Sequence, residues 1–169
     1  MKSEIIVVSD THRFNGYLTA LENAYPRADL YLHLGDLQDD PSRFPKWKFV
    51  RGNCDDFFSG KLMPSLRVVE KDGIRILMTH SHRLLQTSLK EELIRLAKEN
   101  NCSVVLYGHS HVPSMKKEQG IWLINPGSPA LARTGSRPCY GRIVIEDGEV
   151  KPELIRKEKW PFKTTIRME

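Results

Sequence analysis

The residues that could do chemistry sit in short polar clusters, each placed after an apolar run. Gly108-His109-Ser110-His111 follows Val104-Val105-Leu106-Tyr107. Asp10-Thr11-His12 follows Ile5-Ile6-Val7-Val8, and Gly35-Asp36 follows Leu30-Tyr31-Leu32-His33. Gly52-Asn53 comes after Lys48-Phe49-Val50, and His80 after Ile74-Arg75-Ile76-Leu77-Met78. Two Asp, one Asn and four His at run ends form a metal-ligand inventory: Asp10, His12, Asp36, Asn53, His80, His109 and His111. A carboxylate can bridge two ions and an imidazole normally cannot, so Asp36 is the expected bridge. Asp10 and His12, two apart, can point to one ion from an extended backbone. His109 and His111 have the same spacing and could serve different ions. Asn53 can offer a neutral oxygen to metal or phosphate. This nitrogen and oxygen set, without thiolate, suits Mn, Fe, Zn, Co or Ni better than Ca or Mg. Two such ions roughly 3.5–4 Å apart can hold a bridging hydroxide and clamp both ends of an in-line displacement at phosphorus. The chemistry expected is metal-assisted phosphoester hydrolysis.

Apolar runs that end in polar clusters are strands of an open α/β sheet, whose functional crevice lies outside the strands' carboxyl ends. Residues 4–9, 29–34, 47–51 and 103–107 are expected as strands. The first is so continuously apolar that both faces must be covered. A helix is expected over 16–24 with Asn15 as N-cap and Leu18, Leu21 and Tyr25 on the buried face, and Pro26 ends it. A second helix is expected from Ser88 as cap to about Asn100, with Leu89, Leu93, Leu96 and Ala97 inward. The loop 37–45, with Pro41 and Pro45, allows at most one helical turn. Residues 53–64 form a long connection rich in Asp, Gly and Pro, of a kind that often carries function. Lys71-Asp72-Gly73 turns a hairpin between 66–71 and 74–79. Two further hairpins turn at Gln119-Gly120 and Asp147-Gly148, and Asn125-Pro126-Gly127-Ser128 is a turn. Early βαβ units imply parallel pairing and later hairpins antiparallel pairing. Two mixed sheets packed together with helices outside accommodate both.

A chain of 169 residues fits one domain, expected over 1–169. No apolar stretch approaches the ~20 residues that span a bilayer, and the N-terminus starts directly on a strand pattern rather than a signal peptide. The cytosol is the expected compartment. Three cysteines without paired spacing read as reduced thiols. The net charge is +5, but residues 151–169 hold six Lys/Arg and three Asp/Glu, so +3 of it lies in the tail. A nucleic-acid platform needs a concentrated stripe, so that partner is not favoured.

In order along the chain, Asp10-x-His12, Gly35-Asp36, Gly52-Asn53-Cys54-Asp55, His80 and Gly108-His109-Ser110-His111 resemble the motif series of the calcineurin-like metallophosphoesterases. The likeness is greatest to their small bacterial and archaeal phosphodiesterase branch, which the 125–128 turn also fits. The resemblance implies a four-layer α/β/β/α sandwich and two divalent transition-metal ions, commonly manganese, with zinc, iron or nickel also occurring. It assigns Asp10, His12, Asp36 and His111 to one ion, and Asp36, Asn53, His80 and His109 to the other. Asp36, Asn53 and His109 are expected to carry the reaction on a small phosphodiester. A homodimer is implied by the resemblance alone. Many members have a His directly after the metal-binding Asn, where it helps protonate the leaving group, and this chain has Cys54. A neutral thiol is a poor general acid near pH 7, so good leaving groups should be favoured. Ser81 stands where Gly is frequent, which should narrow the pocket without removing the ligand.

Arg13 and His82 are candidate phosphate contacts, together with Asn53; a solvent-facing position is the alternative for the first two. Arg133 and Arg137 share that ambiguity. Asp55 either supports a ligand or is a turn residue. His33, inside a strand, reads as structural. Two other functions stay open. One is a protein-binding scaffold, since the same fold includes a retromer coat subunit that departs from the full ligand set. The other is a nuclease or cyclic-nucleotide hydrolase with the same chemistry and a larger basic groove.

Overall fold

The structure, a computed structural model, describes residues 1–55, 63–133, 135–163 and 166. Ten strands form two mixed sheets of five. In the first sheet β1 (Lys2–Val8), β2 (Leu30–His33) and β3 (Trp47–Phe49) run parallel, and β9 (Cys139–Glu146) and β10 (Glu149–Arg156) extend it antiparallel from β1. In the second, β5 (Ile74–Thr79), β6 (Val104–Tyr107) and β8 (Ile121–Asn125) are parallel, flanked by antiparallel β4 (Leu66–Lys71) and β7 (Ser114–Glu118). The polar clusters therefore do not share one sheet edge. Three follow strands of the first sheet and two follow strands of the second.

Alternation along β1 assembles the layers, because successive side chains of a strand point to opposite faces. Ile5 and Val7 face the inter-sheet core with Leu32, Leu34, Ile76, Met78, Val104 and Leu106. Ile6 and Val8 face outward onto Leu18 and Leu21 of α1 (Gly16–Ala24). On the far side Leu77 and Val105 meet Leu93, Ile94 and Ala97 of α2 (Leu89–Glu99). The order is helix, sheet, sheet, helix, as expected. Both faces of β1 are covered from Ile5 to Val8, which is why that stretch is an unbroken apolar run.

The three hairpins turn at the expected positions, and a short 3-10 turn, Pro41–Arg43, interrupts the 37–45 loop. Part of the 53–64 connection, 56–62, lies outside the described residues. Neither expected helix cap works through its side chain. Ser88 and Asn15 make no side-chain capping bond. Asn15 is instead buried and drawn into the first polar loop. It accepts from the Thr11 hydroxyl at 2.7 Å and donates to the Leu37 carbonyl at 3.2 Å.

Candidate metal centre

The carboxyl ends of β1, β2, β3, β5 and β6 meet at one end of the sandwich, and their loops interlock there. The backbone of the first two loops is laced together: the Asp10 amide donates to the Gly35 carbonyl and that of His12 to the Asp36 carbonyl, both at 2.9 Å. Asp10, His12, Asp36, His109 and His111 have φ of 57°, 44°, 61°, 78° and 62°. The expectation that Asp10 and His12 act from extended backbone is thus wrong. β1 ends at Val8, and both residues are left-handed, a conformation unfavourable for residues with a Cβ. The interlocked loops hold them there and turn the side chains inward.

Each aspartate divides its work. Asp10 Oδ2 accepts from the Ser9 hydroxyl at 2.6 Å and from the His109 amide at 3.1 Å. Its Oδ1 is buried and accepts no hydrogen bond. That oxygen lies 3.2 Å from His111 Nε2, 3.6 Å from His12 Nε2 and 3.7 Å from His80 Nε2. Asp36 Oδ1 accepts from the Cys54 amide at 2.8 Å, and its Oδ2 faces His80 Nε2 at 3.2 Å and His12 Nε2 at 3.5 Å. Asn53 Oδ1 is 3.1 Å from His80 Nε2 and 3.2 Å from His109 Nδ1.

The outer nitrogens fix the tautomers. His80 Nδ1 lies 2.7 Å from the Leu34 carbonyl and His111 Nδ1 2.6 Å from the Leu131 carbonyl. A carbonyl only accepts, so both Nδ1 atoms carry hydrogen, and in the neutral imidazoles both Nε2 lone pairs point inward. His12 Nδ1 is tied to Gln38 Oε1 at 2.7 Å in the same way, and its Nε2 is 3.2 Å from that of His111. Electron-pair donors that face one another across about 3 Å need positive charge between them. Divalent ions fit this donor set, and the outer hydrogen bonds are the kind that orient metal-binding imidazoles.

The titration tendencies carry the same message. Burial opposes ionisation of Asp10, yet the surrounding His111, His12 and His80 imidazoles and the Ser9 hydroxyl bring it well below the carboxylate range. Burial disfavours charge on His12 and His80, but Asp10 and Asp36 raise both above the ordinary imidazole value.

Asp10, His12 and His111 converge as one group and Asp10, Asp36 and His80 as another, with Asn53 Oδ1 between His80 and His109. Asp36 Oδ2 touches both. Among the outlying candidates, the His82 ring is half-buried and tilted 5.4 Å from that of His80. Its Nδ1 is buried without a hydrogen-bond partner. Arg13 and Arg133 are exposed, and Arg137 is paired with Glu158 at 2.9 Å. His33 is buried and hydrogen-bonded to Thr11 and the Gly35 amide, a structural position.

Sequence reasoning missed the orienting groups. Gln38 carries a weak signal, two residues past Asp36, but the Leu34 and Leu131 carbonyls carry none. Ser128, whose hydroxyl donates to the Asp10 carbonyl at 2.8 Å, lies in the 125–128 turn. Asp55 was a divided expectation. It accepts the amides of Asp36 at 2.8 Å and Gly52 at 2.6 Å on one oxygen and that of Gln38 at 2.9 Å on the other. It binds the second and third loops into one unit.

The calcineurin-like phosphoesterase superfamily domain model matches residues 3–148. The chain belongs to the calcineurin-like phosphoesterase superfamily. A probable metallophosphoesterase of Mycoplasma pneumoniae is 27% identical over 155 residues, 88% of this chain and 93% of that protein. The solved structure of a predicted phosphoesterase from Streptococcus pneumoniae superposes with a TM-score of 0.85 at 29% identity, covering 95% and 94% of the two chains. Phosphodiesterase YfcE of Escherichia coli is 31% identical over 101 residues, 56% of this chain and 50% of that protein. Vps29 of Cryptosporidium parvum, at TM-score 0.69 and 16% identity over 90% and 96% of the chains, shares the fold alone.

Proposed function

We propose that this metallophosphoesterase is a phosphodiesterase that works with two divalent transition-metal ions, manganese, zinc, nickel or iron. The observation that carries the reading is Asp10 Oδ1, a buried carboxylate oxygen with no hydrogen bond, ringed by three imidazole nitrogens. Asp10, His12, Asp36 and His111 would hold one ion. Asp36, Asn53, His80 and His109 would hold the other, with Asp36 shared. Ions bound there supply an activated water as nucleophile and neutralise charge on the phosphoryl group. The chain's own residues do the positioning. Asp36 and Asp10 each keep one oxygen for the loops and turn the other inward. Asn53, exposed at the rim, is placed to meet a phosphate oxygen, and His82 and Arg13 flank the entrance on neighbouring loops. The name of the Escherichia coli relative supports a diester substrate. A protein-binding scaffold would not need every donor, whereas here all seven expected residues line one end of the sandwich. Three unpaired thiols accord with a reducing cytosol.

Cys54 stands beside the centre and gives no ready proton. Burial, Asp36 and Asp55 push its thiol above the ordinary value. Leaving groups must therefore depart largely unassisted, which favours aryl over alkyl esters. The test is hydrolysis of a bis-aryl phosphodiester by stripped protein titrated separately with Mn, Ni, Zn, Fe and Mg. Activity should return with metal and fall on the order of 100-fold or more in His109→Ala and Asp36→Asn. Folded, ion-loaded protein inactive with every metal would sink the reading. A rate independent of leaving-group pKa would sink the role given to Cys54.

A further inference from the structure

Among the described residues, five large apolar side chains are exposed: Met1, Leu85, Val112, Met115 and Leu131. Two of them stand beside the candidate centre and are held there by its own hydrogen bonds. Leu131 is fixed through both backbone groups. Its amide donates to Ser128 Oγ at 2.8 Å, and that hydroxyl donates to the Asp10 carbonyl at 2.8 Å. Its carbonyl accepts from His111 Nδ1 at 2.6 Å. Val112 follows His111 directly. Its amide donates to Ser110 Oγ at 3.2 Å, which Asn125 Nδ2 holds in turn at 3.0 Å. Both side chains are nonetheless 43% exposed. Single apolar residues on a surface are ordinary. Two whose backbones are tied to the same histidine-bearing loop are a placed pair, and each forgoes the stabilisation that burial would bring.

We propose that Val112 and Leu131 form an apolar shelf that receives one ester group of the substrate, so that the preferred diesters carry an apolar ring rather than a small alkyl group. The inference rests on the reading of the neighbouring cluster as a phosphodiesterase metal centre. Ligand sites combine apolar walls with a few polar groups that fix orientation. Here the inward-facing donors supply the polar part, and the shelf supplies the apolar part on the His111 side. Two side chains offer far less than the roughly 800 Å² per partner that a stable protein contact buries, so the occupant is a small group. Leu131 then has two separate roles. Its carbonyl orients His111, and its side chain selects the substrate.

The test uses manganese-loaded full-length protein, with its metal content measured, and two probes that share one head group, phenylphosphonate and methylphosphonate. Calorimetric titration should show wild type preferring phenylphosphonate by about tenfold, the order expected when part of a ring is buried on two aliphatic side chains. Val112→Ser/Leu131→Ser keeps the backbone ties and removes the apolar surface, so the preference should fall to about twofold or less. Leu131→Met, which restores apolar surface, should retain most of it. Each single serine variant should lower it part-way, so a double variant that fails to fold leaves the test intact. A disturbed His111 would weaken both probes alike, and a preference that persists in the serine variants would overturn the shelf. Equal affinity for the two probes in wild type would overturn it as well and leave the metal centre standing. Protein that takes up no metal, or that binds neither probe when loaded, would overturn the centre and the shelf together.

Discussion

Asp55 touches none of the inward-facing nitrogens, yet the centre's geometry depends on it. Its carboxylate takes the amides of Asp36, Gly52 and Gln38, each of which lies in a loop bearing a donor or its support. Truncation to alanine strands three N–H groups, with a loss of roughly 1–3 kcal/mol for each that water cannot reach. Asp55→Ala should therefore lower stability by about 3 kcal/mol in denaturant unfolding and weaken metal binding by about 10–100-fold. Unchanged affinity in a destabilised protein would confine Asp55 to folding. His33 gives the residue-scale pH dependence. The Gly35 amide donates to its Nδ1 at 3.1 Å, so Nε2 must carry the hydrogen toward the Thr11 hydroxyl at 2.9 Å. Thr11 in turn donates to Asn15, and protonation would break this closed set. Burial holds the folded pKa at about 3, against an ordinary value of 6.5. The unfolded chain therefore binds the proton first as pH falls. Stability from this residue is fully present above pH 6.5 and declines between about 6.5 and 3, by up to ~1.4 kcal/mol per pH unit. His33→Gln should be less stable at neutral pH and lose that slope, which urea midpoints across this range would register. Parallel pH profiles would refute it.

At the scale of elements, the loops close on one another because two glycines leave room. A Cβ on Gly52 would collide with Asp36 Oδ1 and the Asp36 backbone, and one on Gly108 with Ser9 Oγ and Asp10 Oδ2. Gly52 lets two loops of the first sheet close on each other, and Gly108 lets the second sheet's loop reach the first. Gly52→Ala and Gly108→Ala should each weaken metal binding by about tenfold or more, with smaller effects on secondary structure. Calorimetric titration of circular-dichroism-matched protein would measure it, and wild-type affinity in either variant would show that the loops can part. These glycines also mark how far the sequence could be read. The hairpins at Asp72-Gly73, Gln119-Gly120 and Asp147-Gly148 were legible because turn chemistry is local. The donors were legible because each follows a strand. The left-handed backbone at Asp10 and His12 was not, since it is imposed by hydrogen bonds from a loop about 25 residues away. Asn15 and Ser88 have cap-type sequences, but tertiary demand took Asn15 for the Thr11–Leu37 network. Orienting carbonyls such as those of Leu34 and Leu131 leave no trace in residue type.

The candidate centre joins the two sheets at one end of their shared apolar core. Asp10, His12, Asp36 and Asn53 come from the first sheet's loops, and His80, His109 and His111 from the second's. Without ions the junction gathers carboxylates and lone pairs, and its cohesion rests on imidazole charge and on the core beneath it. Bound cations would tie the sheets together at that end. Ligand that binds only the folded chain stabilises it by RT ln(1 + [L]/Kd), about 2.7 kcal/mol at a hundredfold excess over Kd. For a chain of this length that corresponds to roughly 5–10 °C in Tm. Loaded protein should melt that much higher than stripped protein, and His111→Ala should lose most of the gain. A continuous inter-sheet core also predicts that the two sheets unfold together in a single transition. Calorimetry of stripped and loaded protein tests both points. Two resolved transitions, of which metal shifts only one, would mean that the sheets unfold separately and that the centre does not join them.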